Sequence, residues 1–133
     1  MVSPVLLIAV PLGAAFLLPV VGRAGDRAAR VLAGLSLLFV LASVVPYLPA
    51  LRGGAALTVT TGGWPAPLGI ALRFGFAEAA LVALAAVTAL GSLGAVSARA
   101  RMDAASGGVQ GLVLVLLMVV GANGLVMTRD LFN

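Results

Sequence analysis

The sequence predicts an all-α membrane fold: four transmembrane helices, with a short extended, hairpin-like loop between the second and the third. Two observations carry the prediction. Of 133 residues, 62% are hydrophobic and only 9% are charged, whereas soluble domains carry about 25% charged residues. That is too little charge to coat a surface facing water. The charge that exists is also clustered, leaving four uncharged runs at Met1–Gly22, Val31–Leu51, Ala79–Ala98 and Ala104–Thr128. Each reaches or exceeds the roughly 20 residues that cross a hydrocarbon core about 30 Å thick. Residues 1–133 therefore read as a single membrane domain, with helices expected near 2–21, 31–51, 79–98 and 109–128.

The first run has no basic stretch ahead of it and no small-residue cleavage site behind it, so it reads as a retained helix rather than a signal peptide. Pro11 lies in its middle. Proline has no N–H, so a backbone carbonyl one turn earlier is freed and must find a donor on a neighbouring helix or a water.

A basic turn is expected over Gly22–Arg30, carrying Arg23, Arg27 and Arg30 against Asp26. The second span follows, with Pro46 and Pro49 near its far end and Tyr47 placed for an interfacial ring. Its small residues Ala33, Gly34 and Ser36 allow a neighbouring helix to come close.

Arg52–Glu78 is the one long connection. Leu57–Thr61 is rich in β-branched residues, and Ile70, Leu72 and Phe74 alternate with Ala71 and Arg73. Between them Gly62-Gly63-Trp64-Pro65-Ala66-Pro67 is dense in turn formers. Two short extended segments folded back at the membrane surface are expected, with Trp64 at headgroup level. The third span is rich in Ala and Gly, which predicts packing against protein over much of its surface. A second basic turn with Arg99, Arg101 and Asp103 leads to the fourth span, which carries Gly121, Asn123 and Gly124 in its last third.

Beyond it, Asp130-Leu131-Phe132-Asn133 reads as the start of a further helix, with Asp130 as its capping acid. The chain is therefore expected to be the N-terminal portion of a longer subunit.

The charge pattern restricts function as well as fold. All eight basic residues are arginines and the net charge is +4. They sit at span ends, where they anchor helices, so nucleic-acid binding is not expected. With no Cys and no His, disulfides, thiolate metal sites, a Cys nucleophile and imidazole chemistry have no donors. No catalytic, cofactor-binding or metal-ligating residue is expected, and whether the chain serves an enzyme stays open. The turns at 22–30 and 99–103 hold five of the eight arginines. Basic short loops favour the cytoplasm, which puts both chain ends and the Trp64 loop outside a plasma or inner membrane.

Two stretches resemble a known family. Gly62-Gly63-Trp64-Pro65-Ala66-Pro67-Leu68-Gly69-Ile70 resembles the loop before the third helix of antiporter-like membrane subunits. Gly121-x-Asn123-Gly124, followed by Thr128-x-Asp130-Leu131-Phe132-Asn133, resembles the end of their fourth helix. The family comprises the proton-translocating antiporter-like subunits of respiratory complex I, of membrane hydrogenases and of Mrp-type cation/proton antiporters. The pattern looks most similar to the D subunit of the Mrp type. The resemblance implies about fourteen helices in the whole subunit, both ends on the outer face, and other membrane subunits as partners alongside the bilayer. It implies that transport depends on a glutamate in the fifth helix and on lysines further on, none of which lies within these residues. The chain departs from the pattern in having no acid among Arg73–Ala77, where Glu78 stands as a displaced substitute.

Glu78 and Asp130 are the two acids that could handle protons, since an ionisable group within a membrane is costly and by default functional. Both positions also suit the positive end of a helix, which makes capping the plainer role. Asn123 is expected to hydrogen-bond a neighbouring helix. No ionisable residue falls between span ends, so proton transport by these residues alone is not expected. A stand-alone four-helix transporter of the small multidrug type would need a glutamate in the first span, which has no charge. A non-catalytic scaffold subunit pairing with a separate chain is the other alternative.

Overall fold

The computed structural model describes residues 3–49, 53–54, 56–60, 71–102 and 108–128. Helix α1 covers Leu6–Val21 and passes through both Pro11 and Pro19 without a break in its helical assignment. A 3₁₀ turn at Gly22–Ala24 leads to α2, Asp26–Val44, which ends in a second 3₁₀ turn at Val45–Tyr47. Strands β1, Leu57–Thr60, and β2, Ala71–Phe74, precede α3, Phe76–Met102, and α4, Gly108–Met127. Four segments of 19 to 22 residues, one on each helix, are long and apolar enough to cross a membrane.

The predicted spans are all present, with shifted ends. The stretch expected as a basic turn over 22–30 is mostly helix. Gly25, at φ 139°, makes the reversal, and Asp26 then opens α2 in its first turn, where an acid complements the helix dipole. Arg27 and Arg30 lie within that helix, and the Arg30 Nε donates to the Asp26 carbonyl at 3.2 Å. Likewise α3 starts at Phe76 rather than Ala79 and runs on past Arg99 and Arg101. Arginine is a good helix former, so a basic run at a span end need not be loop.

The helices pack in a ring. α1 touches α2 and α4, and α3 touches the same two, while α2 and α4 also meet across the middle. Among apolar helices in lipid, close van der Waals packing and interhelical hydrogen bonds replace the hydrophobic drive. The half of the core nearer the 22–25 turn is accordingly built on alanines, with Ala14, Ala15, Ala29, Ala33 and Ala89 all buried around Leu37 and Leu116. Two glycines mark the tightest approaches. A Cβ on Gly22 would stand 2.6 Å from a Val109 methyl, and one on Gly111 would stand 2.7 Å from a Val96 methyl.

The other half of the core is built of bulkier side chains, Tyr47, Phe74 and Met127 among them, and is closed by the hairpin. β1 and β2 pair antiparallel, Leu57 with Phe74 through Thr60 with Ala71. Strand alternation turns Leu72 and Phe74 inward, 7% and 0% exposed, and leaves the Arg73 side chain half exposed. Leu72 also bridges Thr128, just past the end of α4, which ties the hairpin to the last helix. Tyr47 is not the interfacial ring expected of it. It is 1% exposed, edge-on to Phe74 with ring centroids 5.3 Å apart. The hairpin roofs this end of the bundle, and roofing it converts an interfacial position into a core one.

Helix α3 also departs from expectation. Only one stripe of it, through Ala79, Val82, Ala86 and Ala89, is buried. Leu84 and Val87 face outward, and a Cβ on Gly91 or Gly94 would meet nothing within 4 Å. Its glycines Gly91 and Gly94 are not used for packing within this chain, whereas its alanines Ala79, Ala86 and Ala89 are. The stretch Gly62–Ile70, with Trp64, and residues 129–133, with Asp130, lie outside the described residues.

Candidate functional site

The most polar point of the interior forms where two sequence features meet. Pro11 cannot donate to the Leu7 carbonyl, its partner four residues back. Leu7 is 1% exposed and Asn123 is 0% exposed, so no water can stand in as donor from outside. The Asn123 Nδ2 fills the gap, donating to the Leu7 carbonyl at 3.0 Å across 116 positions of sequence. Because a carbonyl only accepts, the amide nitrogen must face it and the Asn123 Oδ1 must face away. That oxygen is buried with no hydrogen-bond partner among the described residues. Sequence reasoning anticipated a freed carbonyl in the first span and a hydrogen bond from Asn123, but not that each answers the other.

Three other polar side chains inside the spans, Ser36, Thr88 and Ser92, turn back on their own helices. Ser36 donates to the Ala33 carbonyl at 2.8 Å. Thr88 donates to Leu84 and Ala85, and Ser92 to Ala89. Such i−3 and i−4 bonds satisfy a hydroxyl without linking helices.

Glu78 lies in the first turn of α3. Its Oε2 accepts the Gly75 N–H at 3.0 Å, the reach-back of a third helical residue to the residue that caps the helix. Its Oε1 lies 4.0 Å from the Arg73 Nε, with side chains 41% and 20% exposed for Arg73 and Glu78. A contact that long and that open to solvent contributes little. The spacing Gly75-x-x-Glu78 carries the capping signal in sequence, with Gly in place of the usual Ser or Thr. The role of Arg73 could not be read, because it depends on which way the strand faces.

Among the described residues there is no cluster of His, Cys, Asp and Glu able to hold a metal ion. Gly124, singled out with Asn123 by the family motif, is partly buried, and a Cβ there would meet nothing within 4 Å. The described charged residues all lie near helix ends, in the 22–24 turn or on the hairpin.

Together these features define a multi-pass membrane protein: a four-helix bundle roofed by a hairpin, its helices tied, among the described residues, by a buried amide rather than by an ion pair. This architecture is similar to part of a chain in the structure of the membrane-bound sulfane sulfur reductase, an archaeal respiratory membrane complex. The likeness has a TM-score of 0.77 at 27% sequence identity, and covers 97% of this chain and 26% of that one. The chain thus spans about a quarter of the length of its structural neighbour. No protein-family profile matches the sequence, and no curated protein matches it.

Proposed function

We propose that this chain is the N-terminal four-helix section of an antiporter-like subunit in a multisubunit membrane complex. Its task there is packing and assembly rather than carrying the ion path. The observation that carries this reading is the match of nearly the whole chain to about a quarter of a chain in a respiratory membrane complex. The Gly62–Ile70 and Gly121–Asn133 patterns support the finer assignment to the Mrp-type and complex I-like group, with the Mrp D subunit as its best fit.

Proton relays need titratable groups inside the bundle, and no span here carries one away from its ends. Asn123 can accept or donate a hydrogen bond but does not titrate. Glu78 is engaged at the start of α3, so we assign it to capping; Asp130 is assigned the same role for a following helix. The arginine distribution supports a cytoplasmic position for the 22–25 turn and the end of α3, with both chain ends outside.

The test is twofold. An affinity-tagged chain solubilised gently from its native membrane should bring down further membrane subunits with helices bearing glutamate and lysine. The purified chain in sealed vesicles should show no exchange of protons for cations. Robust exchange by the chain alone would overturn the proposal.

A further inference from the structure

We infer that the pocket between the hairpin and the first turn of α3 binds the headgroup of phosphatidylethanolamine, with its phosphate on Arg73 and its ammonium on Glu78. The pocket has a volume of about 390 Å³ and is lined by Gly54 and Ala56 ahead of β1, by Arg73 on β2, and by Phe76, Ala77 and Glu78 at the start of α3. That volume falls within the roughly 300–1,000 Å³ of small-ligand sites. Gly54, Ala56 and Ala77 are small and exposed, so nothing bulky among them closes the entrance.

Both charges of the ligand find a partner in the lining. Arg73 stands on the outward side of β2, between the inward-facing Leu72 and Phe74. Glu78 is held in place by the Gly75 N–H, which donates to its Oε2 at 3.0 Å. Its Oε1 lies 4.0 Å from the Arg73 Nε, beyond hydrogen-bond distance, and accepts no hydrogen bond among the described residues. The two groups are thus close but not spent on each other. Together they are neutral, so a lone anion is repelled by Glu78 and a lone cation by Arg73. One carboxylate is also too few for a metal ion, which takes several oxygen ligands. A zwitterion satisfies both groups at once. The guanidinium fork matches a phosphate, and a primary ammonium has N–H groups to donate to the free carboxylate oxygen.

The depth of the pocket names the source of that zwitterion. The membrane-crossing segment of α3 begins at Phe76. At 1.5 Å of rise per residue, Glu78 lies only about 3 Å further along the axis, and Arg73, Gly54 and Ala56 precede the span. The polar layer on each side of a bilayer is about 5–8 Å thick, so the pocket lies at the level of the lipid headgroups. Phosphatidylethanolamine presents a phosphate and a primary ammonium there, joined by a short link. Phe76, 54% exposed, adds an apolar surface for the start of the tails.

The test uses the full chain, delipidated in mild detergent and offered equal phosphatidylethanolamine, phosphatidylglycerol and phosphatidylcholine with identical acyl chains. Bound lipid is counted by native mass spectrometry. Phosphatidylglycerol lacks the ammonium, and the ammonium of phosphatidylcholine has no N–H to donate. One partly exposed ionic contact is worth a factor of roughly two to five, so phosphatidylethanolamine should be preferred over each by about that factor. Glu78→Gln keeps an oxygen for the Gly75 N–H but loses the charge, and should bring both preferences to about one with the helical circular dichroism unchanged. Ala77→Trp, at an exposed position, fills the pocket without touching either charged group and should abolish the preference too. Glycerophosphoethanolamine, the same headgroup without tails, should displace the lipid only in large excess. Equal binding of the three lipids by the native chain would overturn the inference, as would a preference that survives both variants. Displacement by glycerophosphoethanolamine at equal concentration would overturn it as well, by assigning the pocket to a water-soluble zwitterion.

Discussion

The hydrogen bond between Asn123 and Leu7 can be tested through the proline that makes it necessary. In the native chain the Leu7 carbonyl has a donor only because the Asn123 Nδ2 lies 3.0 Å away. Asn123→Leu keeps the side-chain size and removes that donor. It also removes the buried, unpaired Oδ1, so one orphaned polar atom is exchanged for another. The net loss is then close to the value of the bond itself, about 1 kcal/mol, within the roughly 0.6–1.7 kcal/mol measured for interhelical bonds in membranes. Pro11→Ala restores an N–H that can donate to the Leu7 carbonyl from within α1. In that background Asn123→Leu should cost nothing, or be slightly favourable, because only the unpaired oxygen is lost. The coupling between the two positions should therefore be about 1 kcal/mol, a factor of roughly five in the unfolding equilibrium. Reversible unfolding of the four proteins in mixed micelles, followed by circular dichroism, measures it. Additivity within about 0.3–0.5 kcal/mol would falsify the claim that proline and amide answer each other.

Three further outcomes follow from the same structure. Glu78→Ala should destabilise the chain by about 1 kcal/mol through loss of the cap on Gly75, while Glu78→Gln, whose amide oxygen still accepts, should lose less than half as much; equal losses in the same unfolding assay would point away from capping. Gly111→Ala drives a methyl to 2.7 Å from Val96 and should cost about 1–3 kcal/mol; combining it with Val96→Ala should recover part of the loss, and no recovery would mean the helices do not cross there. Single cysteines at Ala24 and Gly53, probed on intact cells with an impermeant thiol reagent, should label at Gly53 alone; labelling at Ala24 alone would invert the proposed orientation.

The number of spans and the presence of the hairpin were legible in the chain because both depend on local composition. Runs of some 20 apolar residues have few options in lipid other than a helix. β-branched residues alternating around Gly and Pro have few options other than a turn between extended strands. The capping of α3 by Glu78 was legible for the same reason, since donor and acceptor are three residues apart. Helix ends were less legible, because an arginine-rich span end suits loop and helix alike, and here the arginines extend α2 and α3.

What the sequence by itself determined, then, is everything set within a few residues: four spans, a hairpin, a freed carbonyl at Leu7, a polar amide at position 123. The tertiary structure alone decided which of these meet. Leu7 and Asn123 are 116 positions apart, and neither signals the other, because a hydrogen bond between helices depends on their rotation and depth, which no local pattern encodes. The same holds for Tyr47, whose ring an interfacial reading exposes and whose contact with Phe74 buries it. It holds also for the small residues of α3, of which packing buries Ala79, Ala86 and Ala89 and leaves Gly91 and Gly94 open. Composition fixes what a side chain can do in a bilayer, but the arrangement of the four helices decides which neighbour it does it with.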